Sequence, residues 1–209
     1  SEARIVSCPD ATLDGMTFAE VGAERGTDPL DAFLDLQVAY GNDLRWYSVV
    51  ANGNAEHLEW IIANPAAMIG FSDAGAHLRN MAFYNFPLRM LKRVRDAQRA
   101  GRPFMSVEDA VRKLTSDIAE FHRIDAGRLE TGARADLVVI DPERLDDTVE
   151  EIHEEPMPEF TGLNRLVRRN DDTVRAVLVS GKVAWKRGAP ADDLGTSRHY
   201  GRVLALGSA

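Results

Sequence analysis

The chain has 209 residues, 44% of them hydrophobic and 28% charged, a length and balance that allow a buried core in an ordinary globular protein. A net charge of -8 argues against a nucleic-acid partner and against an anionic membrane surface. The one cysteine, Cys8, excludes an intrachain disulfide and a cluster of thiolate metal ligands, and it points to a cytoplasmic location.

The opening Ser1 to Asp10 has no apolar signal core, and no stretch approaches the roughly 18 apolar residues of a membrane span, so no membrane partner is expected. It lacks an initiator Met and enters at once on a strand-like segment, Ala3 to Ser7, as in a processed chain or a fragment of a longer one. Thr17 with Glu20 is a capping-box pattern that predicts a short helix through Glu24, stopped by Gly26. Asp28-Pro29 caps a second helix whose apolar face is expected to carry Leu30, Phe33, Leu34 and Val38, ending near Gly41. Arg45 to Val50 reads as a strand. Asn52-Gly53-Asn54 opens the helix of Leu58, Ile61 and Ile62, ended by Asn64-Pro65. Ala67 to Phe71 is an apolar strand running into a turn of small residues.

Pro87 starts a helix through Ala100, and its basic run Arg89 to Arg95 reads as a solvated face. Ser106 caps a helix with Val107, Ala110, Val111 and Leu114 inward, and a turn from Ser116 to His122 follows. This alternation predicts a parallel sheet of the α/β class. It supplies about two β/α units where a closed barrel needs about eight. From Gly127 onward the pattern is β: Arg128 to Glu130, Ala135 to Asp141, Thr173 to Ser180 and Val183 to Lys186. Val179-Ser180-Gly181-Lys182-Val183 is a tight hairpin. Asp146 to Pro158 reads as a loop, and a boundary falls near residue 125.

Reactive groups concentrate in Gly70-Phe71-Ser72-Asp73-Ala74-Gly75-Ala76-His77. A carboxylate at the end of an apolar strand can bind zinc or take a proton from water. Ser-Asp-Ala-Gly is equally good turn chemistry, so Asp73 reads either way. His77 can orient a substrate, share a proton or face solvent. His57, His122, His153 and His199 read as structural or surface residues, and Trp46, Trp60 and Trp185 as packing residues. The chain has no His-x-His pair, no His-Glu-x-x-His helix, no Gly-x-Ser-x-Gly elbow and no phosphate loop.

The stretch Met68 to His77 resembles the last barrel strand of the amidohydrolase superfamily, in its D-aminoacylase (N-acyl-D-amino-acid deacylase) branch. Ser106 to Ser116 through Ala119-Glu120-Phe121, then Gly127-Arg128-Leu129 and Gly132 to Asp141, are similar to that branch's C-terminal pattern. Val174 to Val183 is similar to its closing hairpin, and Leu13 to Gly41 to the helical stretch before its seventh strand. The resemblance implies the C-terminal part of a (β/α)8 TIM barrel over residues 1–124, followed by a small β-sandwich domain over 125–209.

It further implies a zinc-dependent hydrolase of N-acyl-(D-)amino acids, with Asp73 facing the metal as general base and acid and His77 as a second catalytic candidate. The branch's carboxylate-holding Arg has no counterpart before Met81-Ala82-Phe83-Tyr84-Asn85-Phe86-Pro87, so Arg79 is the nearest substrate-binding candidate. The remaining metal ligands lie in parts this chain lacks. The isolated chain is expected to be inactive, and to join a missing N-terminal barrel half or self-associate. Two other readings remain: a cyclic-amide hydrolase of the hydantoinase kind, and a non-catalytic β-rich assembly module.

Overall fold

The computed structural model describes residues 3–72, 76–158 and 160–204. The protein is mixed α/β, and its chain forms two compact units, Ser1–Glu59 and Trp60–Ala209.

In the first unit, β1 (Arg4–Ser7) pairs antiparallel with β2 (Arg45–Tyr47), shorter than the strand expected to reach Val50. Helix α1 (Phe18–Arg25) opens on the predicted capping box: Glu20 N–H donates to Thr17 Oγ1 at 3.1 Å and Thr17 N–H to Glu20 Oε2 at 2.7 Å. Asp28 caps α2 (Pro29–Tyr40), its carboxylate accepting from Leu30 N–H. Ile5, Leu13, Phe18, Val21, Ala32, Leu36 and Leu44 make the core. The buried side of α2 is therefore Ala32 and Leu36. The predicted face is turned out: Leu30 is 61%, Leu34 49% and Val38 88% exposed, with Phe33 half-buried. Both readings satisfy the helical period, since α2 is apolar on two sides, and Ala32 and Leu36 share one core with Phe18 and Val21 of α1.

Helix α3 (Ala55–Ala63) contains the division at Glu59 and buries Ile62. Trp60 is exposed rather than packed. The predicted strand Ala67 to Phe71 is irregular, with Phe71 85% exposed. A strand exists through its ladder partner, and no ladder among the described residues includes this segment.

In the second unit α4 (Phe86–Arg99), α5 (Val107–Leu114) and α6 (Ser116–His122) follow one another. On α5 the structure buries Ala110 and Lys113 and leaves Val111 exposed, because the Lys113 ammonium donates to the Asn64 carbonyl at 2.6 Å. Next come β3 (Leu137–Ile140), β4 (His153–Pro156), β5 (Asn164–Val167), β6 (Val174–Val179), β7 (Lys182–Lys186) and β8 (Ala189–Pro190). They form one sheet in the order β3-β6-β7-β8 and one pair, β4-β5.

Every ladder among the described residues is antiparallel, in place of the parallel sheet that the alternation predicted. The hairpin at Ser180-Gly181 forms as expected, with φ of 50° and 79° at its two turn residues, the left-handed pair that matches strand twist. Arg128 to Glu130 is irregular, and Asp146 to Pro158 is more than a loop, holding a short helical turn at Asp147–Glu150 and then β4. No helix among the described residues is long and apolar enough to cross a membrane.

Candidate active site

Asp73 lies outside the described residues, with Ala74 and Gly75. From Ala76 onward the next turn is closed by the His77 carbonyl, which accepts from Asn80 N–H at 3.1 Å and Met81 N–H at 2.9 Å. His77 and Arg79 are both exposed. An exposed imidazole and guanidinium two residues apart can meet a ligand without first breaking an internal contact.

The stretch after His77 is firmly held within the second unit. The Leu78 carbonyl accepts from Leu166 N–H of β5 at 2.8 Å. Arg168, one residue past the end of β5, is only 5% exposed and donates from Nε to the Ala82 carbonyl at 2.7 Å. Its Nη1 reaches the Val149 carbonyl at 3.3 Å and the Glu150 carbonyl, with the Glu150 carboxylate at 3.7 Å. The Tyr84 hydroxyl donates to the Arg168 carbonyl at 3.2 Å and accepts the Arg168 N–H. Asn85 Nδ2 donates to the Val149 carbonyl at 2.8 Å and to Asn170 Oδ1 at 3.2 Å. Two cations stand over the Phe83 ring, with the Arg89 guanidinium carbon 5.7 Å and that of Arg168 6.0 Å from its centroid. Burial, and the neighbouring Arg89, press the Arg168 pKa down, but a guanidinium stays charged and so needs these acceptors.

Helix α4 adds to this with the run expected to be solvated. Arg89 meets Glu150 at 2.6 Å, Lys92 meets Asp96 and Asp147 at 2.8 Å each, and Arg95 holds Asp96 at 2.9 Å and the carbonyls of Pro142 and Leu145. Burial opposes the Lys92 charge, but hydrogen bonds to Asp147 and Asp96 outweigh it together and raise its pKa. The basic face is thus a polar seam that pins residues 142–150 along α4, with Lys92 and Arg95 its most buried members. Helical spacing alone cannot separate these two outcomes, because the acidic segment 142–150 that pairs with the face is distant in sequence.

Arg168, Tyr84 and Asn85 are the residues that sequence reasoning missed. Arg168 sits in the charged run Arg165 to Asp172, where nothing marks one arginine as buried. Among the described residues no group of three or more His, Cys, Asp or Glu could hold a metal ion. A zinc site wants three or four ligands, so the described side chains do not fit one by themselves.

An uncharacterized protein of Mycobacterium tuberculosis is 50% identical over 211 residues, which is 99% of this chain and 34% of that protein. A D-aminoacylase of Alcaligenes xylosoxydans xylosoxydans is 29% identical over 202 residues, 94% of this chain and 35% of the enzyme. The chain therefore spans about a third of the length of the relatives it matches. Two solved structures share the fold. A D-aminoacylase with a binuclear metal centre is 24% identical with a TM-score of 0.50, over 98% of this chain and 38% of that one. The N-acyl-D-glutamate deacylase of Bordetella bronchiseptica, complexed with zinc and a phosphonate inhibitor, is 23% identical with a TM-score of 0.51, over 97% and 37%. The amidohydrolase family profile matches residues 12–184, and the chain belongs to the amidohydrolase family.

Proposed function

We propose that this chain is the C-terminal portion of a metal-dependent amidohydrolase that cleaves the amide bond of N-acyl-(D-)amino acids. Residues 1–124 would be the closing β/α units of its TIM barrel and 125–209 its small β-sandwich domain. The observation that carries this reading is the likeness to a D-aminoacylase along nearly the whole chain. The distribution of elements supports it: the long helices all precede residue 123 and most strands follow residue 136.

In that reaction water adds to the acyl carbon, the C–N bond breaks, and a carboxylate and a free amine leave. Asp73 takes the proton of the attacking water and returns it to the departing nitrogen. His77 is a second proton-sharing group on the same loop, and Arg79 faces the substrate carboxylate. Zinc supplies Lewis acidity in such enzymes, and Asp73 would be the one carboxylate this chain lends to it; the other ligands belong to the rest of the polypeptide. The working partner is then the missing N-terminal barrel half, in the cytoplasm.

The test is an assay of the full-length, zinc-loaded polypeptide on N-acetyl-D-amino acids and on hydantoins. Turnover of the former, reduced about a hundredfold or more by Asp73→Asn, is the expected result. Turnover of hydantoins alone would move the chain to the cyclic-amide hydrolases. Turnover untouched by Asp73→Asn would remove Asp73 from the chemistry.

A further inference from the structure

Helix α2 shows an unpartnered face with a defined chemistry. Leu30, Leu34 and Val38 follow one another at intervals of four, the row that forms a ridge on a helix surface. All three are exposed, on the side roughly opposite the buried Ala32 and Leu36. Beside the ridge runs an open apolar cavity of about 390 Å³, lined by Leu30, Phe33, Trp46 and their neighbours. Its floor is aromatic: the Phe18, Phe33 and Trp46 rings meet edge to face, with centroids 5.1 to 6.1 Å apart. Along the ridge's other flank stand the exposed carboxylates of Asp31 and Asp35, which form no ion pair among the described residues.

These features select an occupant. A second copy docking α2 against α2 would set Asp31 and Asp35 against their own duplicates and bury like charges together, which costs several kcal/mol in general. A helix with its own apolar ridge, flanked by lysine or arginine, fills the groove and pairs both carboxylates. About two-thirds of the relatives' length lies outside the match, and under the proposed function that remainder is where such a helix would come from. We propose that the Leu30–Leu34–Val38 ridge with Asp31 and Asp35 is the surface on which a cation-flanked helix of the rest of this polypeptide docks. The inference rests on the reading that the chain works as part of a longer amidohydrolase. Its tests read binding and coverage instead of hydrolysis, so either can fail alone.

Two measurements test it. The first titrates the 209-residue chain with a stapled helical peptide bearing leucine at every fourth position and lysines beside them, and with its glutamate-flanked twin, by fluorescence anisotropy. The lysine peptide should bind about tenfold more tightly at low salt, with the gap closing at high salt. Leu34→Glu with Val38→Glu should abolish binding of both peptides. Asp31→Asn with Asp35→Asn should equalise them. All four sites are exposed, and a circular dichroism spectrum checks that the variants keep their helices. The second compares hydroxyl-radical labelling of residues 30–38 here with that of the aligned segment in the full-length Mycobacterium tuberculosis relative, where it should be protected. Equal binding of both peptides, no binding of either, a dimer that Leu34→Glu dissolves, or an unprotected segment in the full-length relative would each overturn the proposal.

Discussion

Arg168 gives its Nε proton to the Ala82 carbonyl at 2.7 Å, joining positions 86 residues apart. The same guanidinium reaches Val149 and Glu150, so one buried cation fastens the segment behind the His77 loop, the end of β5 and the turn over α4.

Removing that cation should loosen all three together. Arg168→Met strands the Ala82 and Glu150 carbonyls without their charged donor, and we expect a loss of roughly 3 kcal/mol in urea unfolding. Arg168→Lys keeps the charge but cannot fork to several carbonyls, so it should recover less than half. A cost below about 1 kcal/mol for Arg168→Met would mean that the clamp is incidental.

Two glycines separate steric need from turn preference. Gly127 has φ of +77°, and a Cβ there would stand 2.8 Å from the Thr115 carbonyl carbon and 2.9 Å from Ser116 N. Gly132 has φ of +88° with nothing within 4 Å. Gly132→Ala should therefore cost about 1 kcal/mol, and Gly127→Ala clearly more, roughly 2 to 4, since backbone must also shift. Thermal melts of the two variants decide this; equal losses would refute the close-approach argument.

What the sequence shows well is local chemistry. The Thr17 box, the Asp28-Pro29 cap and the Ser180-Gly181 turn each depend on groups within four residues, and each forms as read. What it shows poorly depends on distant partners. Helix α2 is apolar on two sides, and only the packing chooses Ala32 and Leu36 over Leu30 and Leu34. The run Arg89 to Arg95 looks solvated until residues 142–150 fold over it. Ala67 to Phe71 has strand composition and no partner strand among the described residues. The candidate site follows the same rule: His77 and Arg79 are expectations read from the motif, whereas Arg168, which fastens the segment behind them, carries no local signal.

The α4 seam should be sensitive at both ends of the pH scale. Burial tends to raise the Asp96 pKa, but hydrogen bonds and charge from Lys92 and Arg95 lower it overall. A carboxylate depressed on folding contributes stability above its ordinary pKa of about 4, lost as pH falls through the lower folded value. Lys92 is raised, so its contribution is complete below the ordinary lysine value of about 10.4 and is lost as pH rises through the folded one. Asp96→Asn should thus flatten the acid limb of a stability–pH curve, and Lys92→Met the alkaline limb. Hydrogen exchange across residues 142–150 should quicken at both extremes; an unchanged rate would detach the seam from these two charges.

Arg79 is the sharpest test of how substrate would be held. It is exposed on the turn closed by the His77 carbonyl, and that turn follows a loop whose acid is the proposed base. If its guanidinium pairs with a substrate carboxylate in ground and transition states alike, Arg79→Ala in the full-length enzyme should raise KM about ten- to a hundredfold with kcat little changed. An N-acyl amine without the carboxylate should be hydrolysed equally by both enzymes. Arg79→Lys should restore only part of the loss, because a point charge replaces a fork. A fall in kcat with KM unchanged would instead place Arg79 among the groups that act only in the transition state, and unchanged kinetics would leave the carboxylate to be held by a residue outside this chain.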